Sequence, residues 1–348
     1  MKTLLITGGC GFIGSNFVRL LSARPEWRIV NLDMLTYAGN LANVEAMVGA
    51  AYRFVRGDIC DRKLVERILR EEKPWAIVNF AAESHVDRSI LDPSSFLPTN
   101  IGGVQALLEA IRTYPVERFV HISTDEVYGD NENKDLSSEE SSLVPSSPYS
   151  ATKAAADLLC MAYRRTYGLP VLVTRSSNNY GPNQFPEKLI PLLIRNALNE
   201  TELPIYGDGK QIRDWLYVED NCRAILGVLE QGQVGSIYNI GTGEERNNLS
   251  VVELICAVVA ERTNRDLATL KKRICHVGDR PGHDRRYARE TAKVRGETGW
   301  KPQMDFPTGL KRTVDWYLNH SDWIAQVTSG EYRNYYDTVY LRSWGTEQ

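Results

Sequence analysis

Thr3-Leu-Leu-Ile-Thr7-Gly8-Gly-Cys-Gly11-Phe12-Ile13-Gly14 is the stretch that decides the fold. A short apolar run reads as a buried strand, and the glycines after it open a helical pattern over 12–23. In that setting glycines at this spacing make a tight turn and let backbone approach a pyrophosphate at a helix N-terminus. Phe12 and Ile13 are assigned to the same contact. The spacing alone also fits an ordinary tight turn, but the residues further on favour the dinucleotide. Asp33 ends the next strand pattern, where a carboxylate accepts hydrogen bonds from an adenosine ribose and repels a 2′-phosphate, so NAD is expected rather than NADP. Thr36, Asp58 and Ile59 are candidates for the adenosine end, with a plain loop role equally open.

Outward from this loop, β-branched runs at 28–33, 52–56, 76–80, 118–123 and 170–176 alternate with helical patterns at 62–72, 94–113 and 148–167. Strands separated by helices predict an α/β fold, a Rossmann-type doubly wound parallel sheet. After Asn178 the rhythm breaks at Pro182, Pro186, Pro191 and Pro204. Proline ends regular elements, so a smaller C-terminal mixed α/β domain is expected there. Later patterns at 220–230, 236–240 and 249–261 suggest that the sheet is re-entered. The expected division is an NAD-binding domain of 1–177 plus about 209–241 and a nucleotide-sugar domain of 178–208 plus about 242–348. The polar stretch 130–142 reads as an exposed loop or flap.

Composition excludes several classes. The chain of 348 residues is 43% hydrophobic and can bury a full core. A formal net charge of −3 gives no basic field for nucleic acid or acidic lipid. The six cysteines show no C-x-x-C spacing, so reduced thiols and a cytoplasmic location are expected. The first apolar run is too short for a signal peptide, and no stretch of about 18 apolar residues predicts a membrane span. Cys275-His276 lacks two further ligands at suitable spacing, so no metal site is expected.

Tyr149 and Lys153 stand at i and i+4 of a predicted helix, on one face and about one turn apart. Ser147-Pro148 supplies a cap and a first-turn proline. A tyrosine base must lose roughly 3 units from its reference pKa of about 10, and an ammonium at i+4 and a positive nicotinamide ring both act in that direction. Lys153 could also hold a nicotinamide ribose. Such a pair also occurs on ordinary helix surfaces. Asp125 and Glu126 lie at the carboxyl end of the fifth strand, the edge where open α/β sheets bind ligands. Once C4 of a hexose is a ketone, its C5 proton is acidified. One carboxylate can then remove that proton while a carboxylic acid protonates the departing C6 hydroxyl. Neighbours on a strand face opposite ways, so both reach one sugar only if the backbone bends after Ser123. Lys188, Arg213, Asn248 and the segment 280–287 offer cations and donors for a diphosphate. His85 and His121 are assigned to the sheet edge and core.

The chain resembles the dTDP-glucose 4,6-dehydratase family of extended short-chain dehydrogenase/reductases nearly end to end. The resemblance rests on Thr124-Asp-Glu, Tyr149-x-x-x-Lys153, Asp33-Met-Leu-Thr-Tyr-Ala-Gly-Asn40, Ala81-Ala-Glu-Ser-His-Val-Asp-Arg-Ser89 and Asn178-Asn-Tyr-Gly-Pro182. It extends to Gln184-Phe-Pro-Glu-Lys-Leu-Ile-Pro191, Tyr206-Gly-Asp-Gly209 and Asp279-Arg-Pro-Gly-His-Asp-Arg-Arg-Tyr287. It implies that Tyr149 is the base for C4 oxidation, Asp125 the acid, Glu126 the C5 base and Thr124 a ligand of the C4 hydroxyl. It also implies that Phe80, Ala81, Ala82, Thr99 and Asn179 face NAD, and that Ser84 and Asn178 contact the sugar. Glu187, Lys188, Leu189, Arg213, Asn248, Arg280, His283 and Tyr287 would hold the rest of the substrate, with Pro204 and Tyr206 beside the base. A homodimer joined through the helices at 94–113 and 148–167 is implied as well. Two departures stand out: the segment 130–147 is shorter than in many members, and Asn183-Gln184 replaces a frequent Tyr-His pair.

Three rivals are separable. A UDP-sugar epimerase or decarboxylase would share the glycines, Tyr149 and Lys153 but would not use both carboxyls. A UDP-glucose dehydratase differs only in the base and a ribose hydroxyl. A non-catalytic NAD sensor would not require the Tyr/Lys pair.

Overall fold

The computed structural model describes residues 1–328 except 48, 50, 133 and 134. β1 (Lys2–Thr7) starts the fold, and Leu4, Leu5 and Ile6 are fully buried. Consecutive burial means that both faces are covered, the condition for a parallel strand, at about 1.5–3 kcal/mol per large apolar side chain. The first half continues with α1 (Phe12–Ser22), β2 (Trp27–Asp33), β3 (Tyr52–Arg56), α2 (Arg62–Glu72), β4 (Ala76–Asn79) and α3 (Val86–Leu91). Then come α4 (Val104–Thr113), β5 (Arg118–Thr124), α5 (Pro148–Tyr167) and β6 (Val171–Ser176). The second half runs through β7 (Asn178–Tyr180), α6 (Leu189–Leu198), β8 (Leu203–Tyr206), β9 (Ile212–Tyr217), α7 (Val218–Gln231) and β10 (Ile237–Ile240). It closes with β11 (Glu245–Asn247), α8 (Asn248–Thr263), α9 (Leu267–Lys271), β12 (Ile274–Val277), α10 (Ala292–Thr298), α11 (Phe306–Asn319) and α12 (Ser321–Val327).

Seven parallel strands form the main sheet in the order β10-β6-β5-β4-β1-β2-β3. The order reverses between β1 and β4, which opens a crevice beyond their carboxyl ends. One core packs α1 and α7 on one face, around Phe17, Val18, Ile225 and Leu229. The other packs α2, α4 and α5 on the opposite face, around Ile68, Leu107, Leu108 and Cys160. Beyond the sheet, β9 pairs with β7 and β11, β8 pairs with β12, and α6, α8 and α11 close a further core around Tyr180, Ile194, Ile255 and Leu310. The segment 209–241, expected as one piece with the large sheet, is thus shared: β9 joins the small sheet, while α7 and β10 join the large one.

Two local expectations change. The helix predicted over 94–113 is a π-type turn, Pro98–Gly103, running into α4. At the last residue of this turn the packing is close: a Cβ on Gly103 would press into Ile59. The stretch 130–142, expected as an exposed loop or flap, is a loop tied at Asn131 and Ser137 to 286–290. Asn131 Nδ2 donates to Ala288 O at 2.7 Å, Ser137 N donates to Ala288 O at 3.0 Å, and Glu290 N donates to Ser137 O at 2.9 Å. Among the described residues no helix is long and apolar enough to cross a membrane. All six cysteines are free.

Candidate active site

The glycine loop has the shape a dinucleotide requires. Gly8 has φ +70°, and a Cβ there would lie 2.6 Å from the Ala81 backbone nitrogen. On Gly14 it would collide with the Gly8 carbonyl. Gly11 caps α1, which places unpaired backbone N–H groups at the mouth of the crevice. Asp33 is 8% exposed and accepts from Cys10 N and Leu35 N, each at 2.8 Å, so it knits the loop while keeping lone pairs for a ligand. Burial pushes its pKa up and those backbone donors pull it down. These residues fit NAD: small residues leave room for its phosphates and a carboxylate stands at the second strand end.

The other cofactor candidates divide. Phe80 packs on Phe17, with ring centroids 5.2 Å apart, and Ala81 and Ala82 are half-buried just past β4. Thr99 is half-buried in the π turn and Thr36 is exposed. Asp58 accepts from Cys60 N at 2.9 Å, a turn contact. The Ile59 side chain packs in the core beneath Gly103.

β5 ends at Thr124, and the chain turns at once into a 3-10 turn, Asp125–Tyr128, in which the Thr124 hydroxyl accepts from Glu126 N at 3.3 Å. The expected bend is present, one residue later than Ser123. It breaks strand alternation, so Thr124, Asp125, Glu126 and Tyr149 all line one cavity of about 270 Å³. Burial pushes the pKa of both Asp125 and Glu126 upward. Opposing this, the Arg289 charge acts on Asp125 and the Arg280 charge on Glu126.

Tyr149 stands in the first turn of α5, where Ser147 and Ser150 form a capping box and Pro148 takes the first position. Its backbone N donates to Ser89 Oγ at 3.1 Å. The phenol pKa is pushed well up by burial and then by the Glu126 charge, with Thr124 acting the other way. Lys153 is not among the leading influences on the phenol. Lys153 is itself lowered to about 8 by burial, and its Nζ donates to Ile122 O at 2.7 Å, 3.4 Å from His121 Nε2. Lys153 thus spends one of its three donors on the β5 backbone and is not among the residues lining this cavity.

Of the expected substrate residues, Ser84, Asn178, Glu187, Lys188, Leu189, Pro204, Tyr206, Arg213, Asn248, Arg280 and His283 line the same cavity, as do Phe12, Ile13 and Asn179. Tyr287 does not: its ring lies against the Arg213 guanidinium at 4.1 Å and its hydroxyl donates to Asp284 at 2.8 Å. It positions Arg213 instead. Lys188 Nζ donates to Ser84 O at 2.7 Å, and Arg213 Nη2 to Asp284 O at 2.8 Å. Burial lowers the pKa of His283 to about 4 despite its Asp279 partner. Asn178 Oδ1, Asn179 Oδ1, Gln184 Oε1 and Asn248 Oδ1 are buried acceptors without protein partners. Buried polar atoms are normally satisfied, so four such acceptors around one cavity suit a ligand rich in donors.

Sequence reasoning missed Asp87 and Arg289. Asp87 accepts from Tyr206 OH and from Arg280 Nη1, both at 3.0 Å, and so fixes two cavity residues from distant stretches. Nothing in local spacing connects 87 with 206 and 280. Glu187 is likewise held, accepting from Tyr37 OH at 2.9 Å and Arg88 Nε at 3.1 Å.

Comparison with known proteins agrees with this geometry. The family model for GDP-mannose 4,6 dehydratase matches residues 5–313. A dTDP-glucose 4,6-dehydratase of Xanthomonas campestris pv. campestris is 52% identical over 344 residues, covering 96% of this chain and 98% of that protein. The dTDP-glucose 4,6-dehydratase of Streptomyces venezuelae, solved with NAD bound, superposes with a TM-score of 0.88 at 46% identity, covering 94% of this chain and 100% of that one. A UDP-glucose 4-epimerase of Thermotoga maritima reaches a TM-score of 0.83 at 29% identity, covering 91% and 99%. By sequence and by fold, the chain belongs to the GDP-mannose 4,6 dehydratase family and, within it, to the dTDP-glucose 4,6-dehydratases.

Proposed function

We propose that the protein is an NAD-dependent hydro-lyase that converts dTDP-glucose to dTDP-4-keto-6-deoxyglucose. The observation that carries this reading is the turn after Thr124, which brings Asp125, Glu126 and the Tyr149 phenol into one cavity beside the glycine loop. NAD, bound on residues 8–14 and Asp33, supplies the two-electron acceptor that oxidises C4 and the donor that later reduces C6. The Thr124 hydroxyl and the Tyr149 phenol oxygen hold the O4 hydroxyl, and Tyr149, as the phenolate that a positive nicotinamide ring would favour over the neutral phenol of the buried site, takes its proton. Glu126 takes the C5 proton, and the C–H electron pair becomes the C5=C6 bond. Asp125 gives its proton to the C6 oxygen, and the C6–O bond breaks with its electrons to release water. Glu126 then returns a proton to C5.

Burial suits both acids: it shifts Asp125 toward the protonated form, against the pull of Arg289, and makes Glu126 a stronger base. Lys188, Arg213, Asn248 and Arg280 hold the diphosphate, and Tyr206, Pro204 and His283 flank the nucleobase. The large sheet thus carries the cofactor and the smaller sheets the nucleotide. Lys153 fixes the first turns of α5 against β5 and stands ready for the nicotinamide ribose. The finer reading extends to a homodimer, joined through the helical segments 94–113 and 148–167, where Leu97 and Leu158 are 57% and 62% exposed. It also covers a cytoplasmic location and a product that feeds deoxysugar synthesis such as that of dTDP-rhamnose.

The test is incubation of the purified protein with dTDP-glucose or UDP-glucose and no added NAD. A 4-keto-6-deoxy nucleotide sugar should form, faster from dTDP-glucose. Galactose or pentose nucleotides would point instead to the epimerase or decarboxylase chemistry of related proteins.

A further inference from the structure

Arg289 lies on the stretch pinned to 131–137, and its side chain has no exposure. One end of its guanidinium, Nη2, is 2.5 Å from Asp125 Oδ2, an ion pair too poorly aligned to be a hydrogen bond. The same nitrogen donates to Tyr287 O at 3.3 Å, and Nη1 lies 3.6 Å from Asp214 Oδ2. Its Nε and Nη1 make no hydrogen bond although both are buried. A buried cation held this loosely costs stability unless it is needed where it stands.

The two carboxyls that share it are not equivalent. Asp214 accepts from Thr242 N at 3.1 Å, from the Thr242 hydroxyl and from Gly243 N at 3.0 Å, and these donors hold it whatever Arg289 does. Among the described residues Asp125 is held more weakly, by the Thr124 hydroxyl 3.4 Å from Oδ1 and by its own backbone N–H. The other charged or titratable groups facing Asp125 are Asp214, Arg213, Glu126 and the Tyr149 phenol. Three of these are acids, and Arg213 is turned to the carbonyls of Ile212 and Asp284. Arg289 is thus the cation in direct contact with the proposed acid.

We propose that Arg289 is a positioning residue for the elimination step: it aims the Asp125 carboxyl and keeps its proton transferable, so that Asp125 can lose a proton and regain one in each turnover. This rests on the proposed dehydratase reading. Without the guanidinium, a carboxyl buried among other acids would hold its proton more tightly. The acid form would survive to higher pH but would be a poorer donor.

The test is the pH dependence of kcat for dTDP-glucose in wild type, Arg289→Met, Arg289→Lys and Asp214→Asn. In Arg289→Met the alkaline limb should move up by on the order of one pH unit, with kcat at neutral pH about 10–100-fold lower and KM little changed. Arg289→Lys should bring the limb back toward wild type. Asp214→Asn, which leaves Arg289 to Asp125 alone, should move it the opposite way and answers the question even if Arg289→Met does not fold. A limb unmoved in Asp214→Asn, or in a folded Arg289→Met, overturns the inference while leaving the dehydratase reading intact. A wild-type protein that makes no 4-keto-6-deoxy product overturns both.

Discussion

Glu126 and Asp125 are chain neighbours given different work by their surroundings. Asp125 is 3% exposed and meets Arg289, whereas Glu126 is half-buried and feels Arg280 and Lys188 from across the cavity. As a base, Glu126 must be ionised. Because its folded pKa is raised, the acid limb of the rate profile should lie above the ordinary carboxylate range, with activity lost as pH falls through it. Glu126→Gln should remove that limb, abolish exchange of the C5 proton with solvent and lower kcat by about 10²–10⁴-fold. Steady-state rates across pH and proton NMR of the product check both, and an unchanged rate would take the C5 base role from Glu126. At this scale the sequence made Asp125, Glu126 and Tyr149 legible as candidates that line one cavity, because a strand-end acid pair and an i, i+4 Tyr/Lys pair are local patterns. It misjudged the environment. Lys153 was expected to depress Tyr149, but its ammonium turns to the Ile122 carbonyl, and burial holds the phenol high. Arg289, Asp87 and the Tyr287 support of Arg213 are contacts across long sequence distances, which no spacing rule encodes.

At the scale of elements, α5 is the piece that delivers Tyr149. Its first turn is fixed by the Ser147 capping box and by Ser89, and its end by Gly168 at φ +72°. Ser147→Ala should cost about 1 kcal/mol of stability, lower the Tm by a few degrees and leave bound NAD in place. Gly14→Ala should do the reverse: its Cβ would strike the Gly8 carbonyl, a backbone atom that cannot rotate away, so NAD retention should be lost. Calorimetry and the absorbance of the purified proteins separate the two outcomes. The strands, α1, α2 and α5 were readable because burial on one or both faces leaves a periodic record. The π turn at Pro98–Gly103 was not, since the helical pattern over 94–113 carries no local mark of it.

Over the whole molecule, the reversal of strand order between β1 and β4 sets the crevice, and the smaller sheets bring Arg213, Asn248, Arg280 and His283 to face it. The alternation of strand and helix predicted the first part. How the polar stretch 130–142 would be used was not legible, because its partners at 286–290 lie about 150 residues away and pair with it through backbone groups. That pairing carries Arg289 to Asp125, so the second half of the chain completes the chemistry of the first. The central claim is that oxidation at C4, loss of water across C5 and C6, and reduction at C6 occur in this one cavity without release of any intermediate. It is tested most directly by converting dTDP-glucose deuterated at C4 in ordinary water, and unlabelled dTDP-glucose in heavy water. The account predicts that the C4 label is recovered at C6 of the 4-keto-6-deoxy product and that solvent deuterium appears at C5. A C4 label lost to solvent or returned to C4, or a product without solvent deuterium at C5, would contradict it.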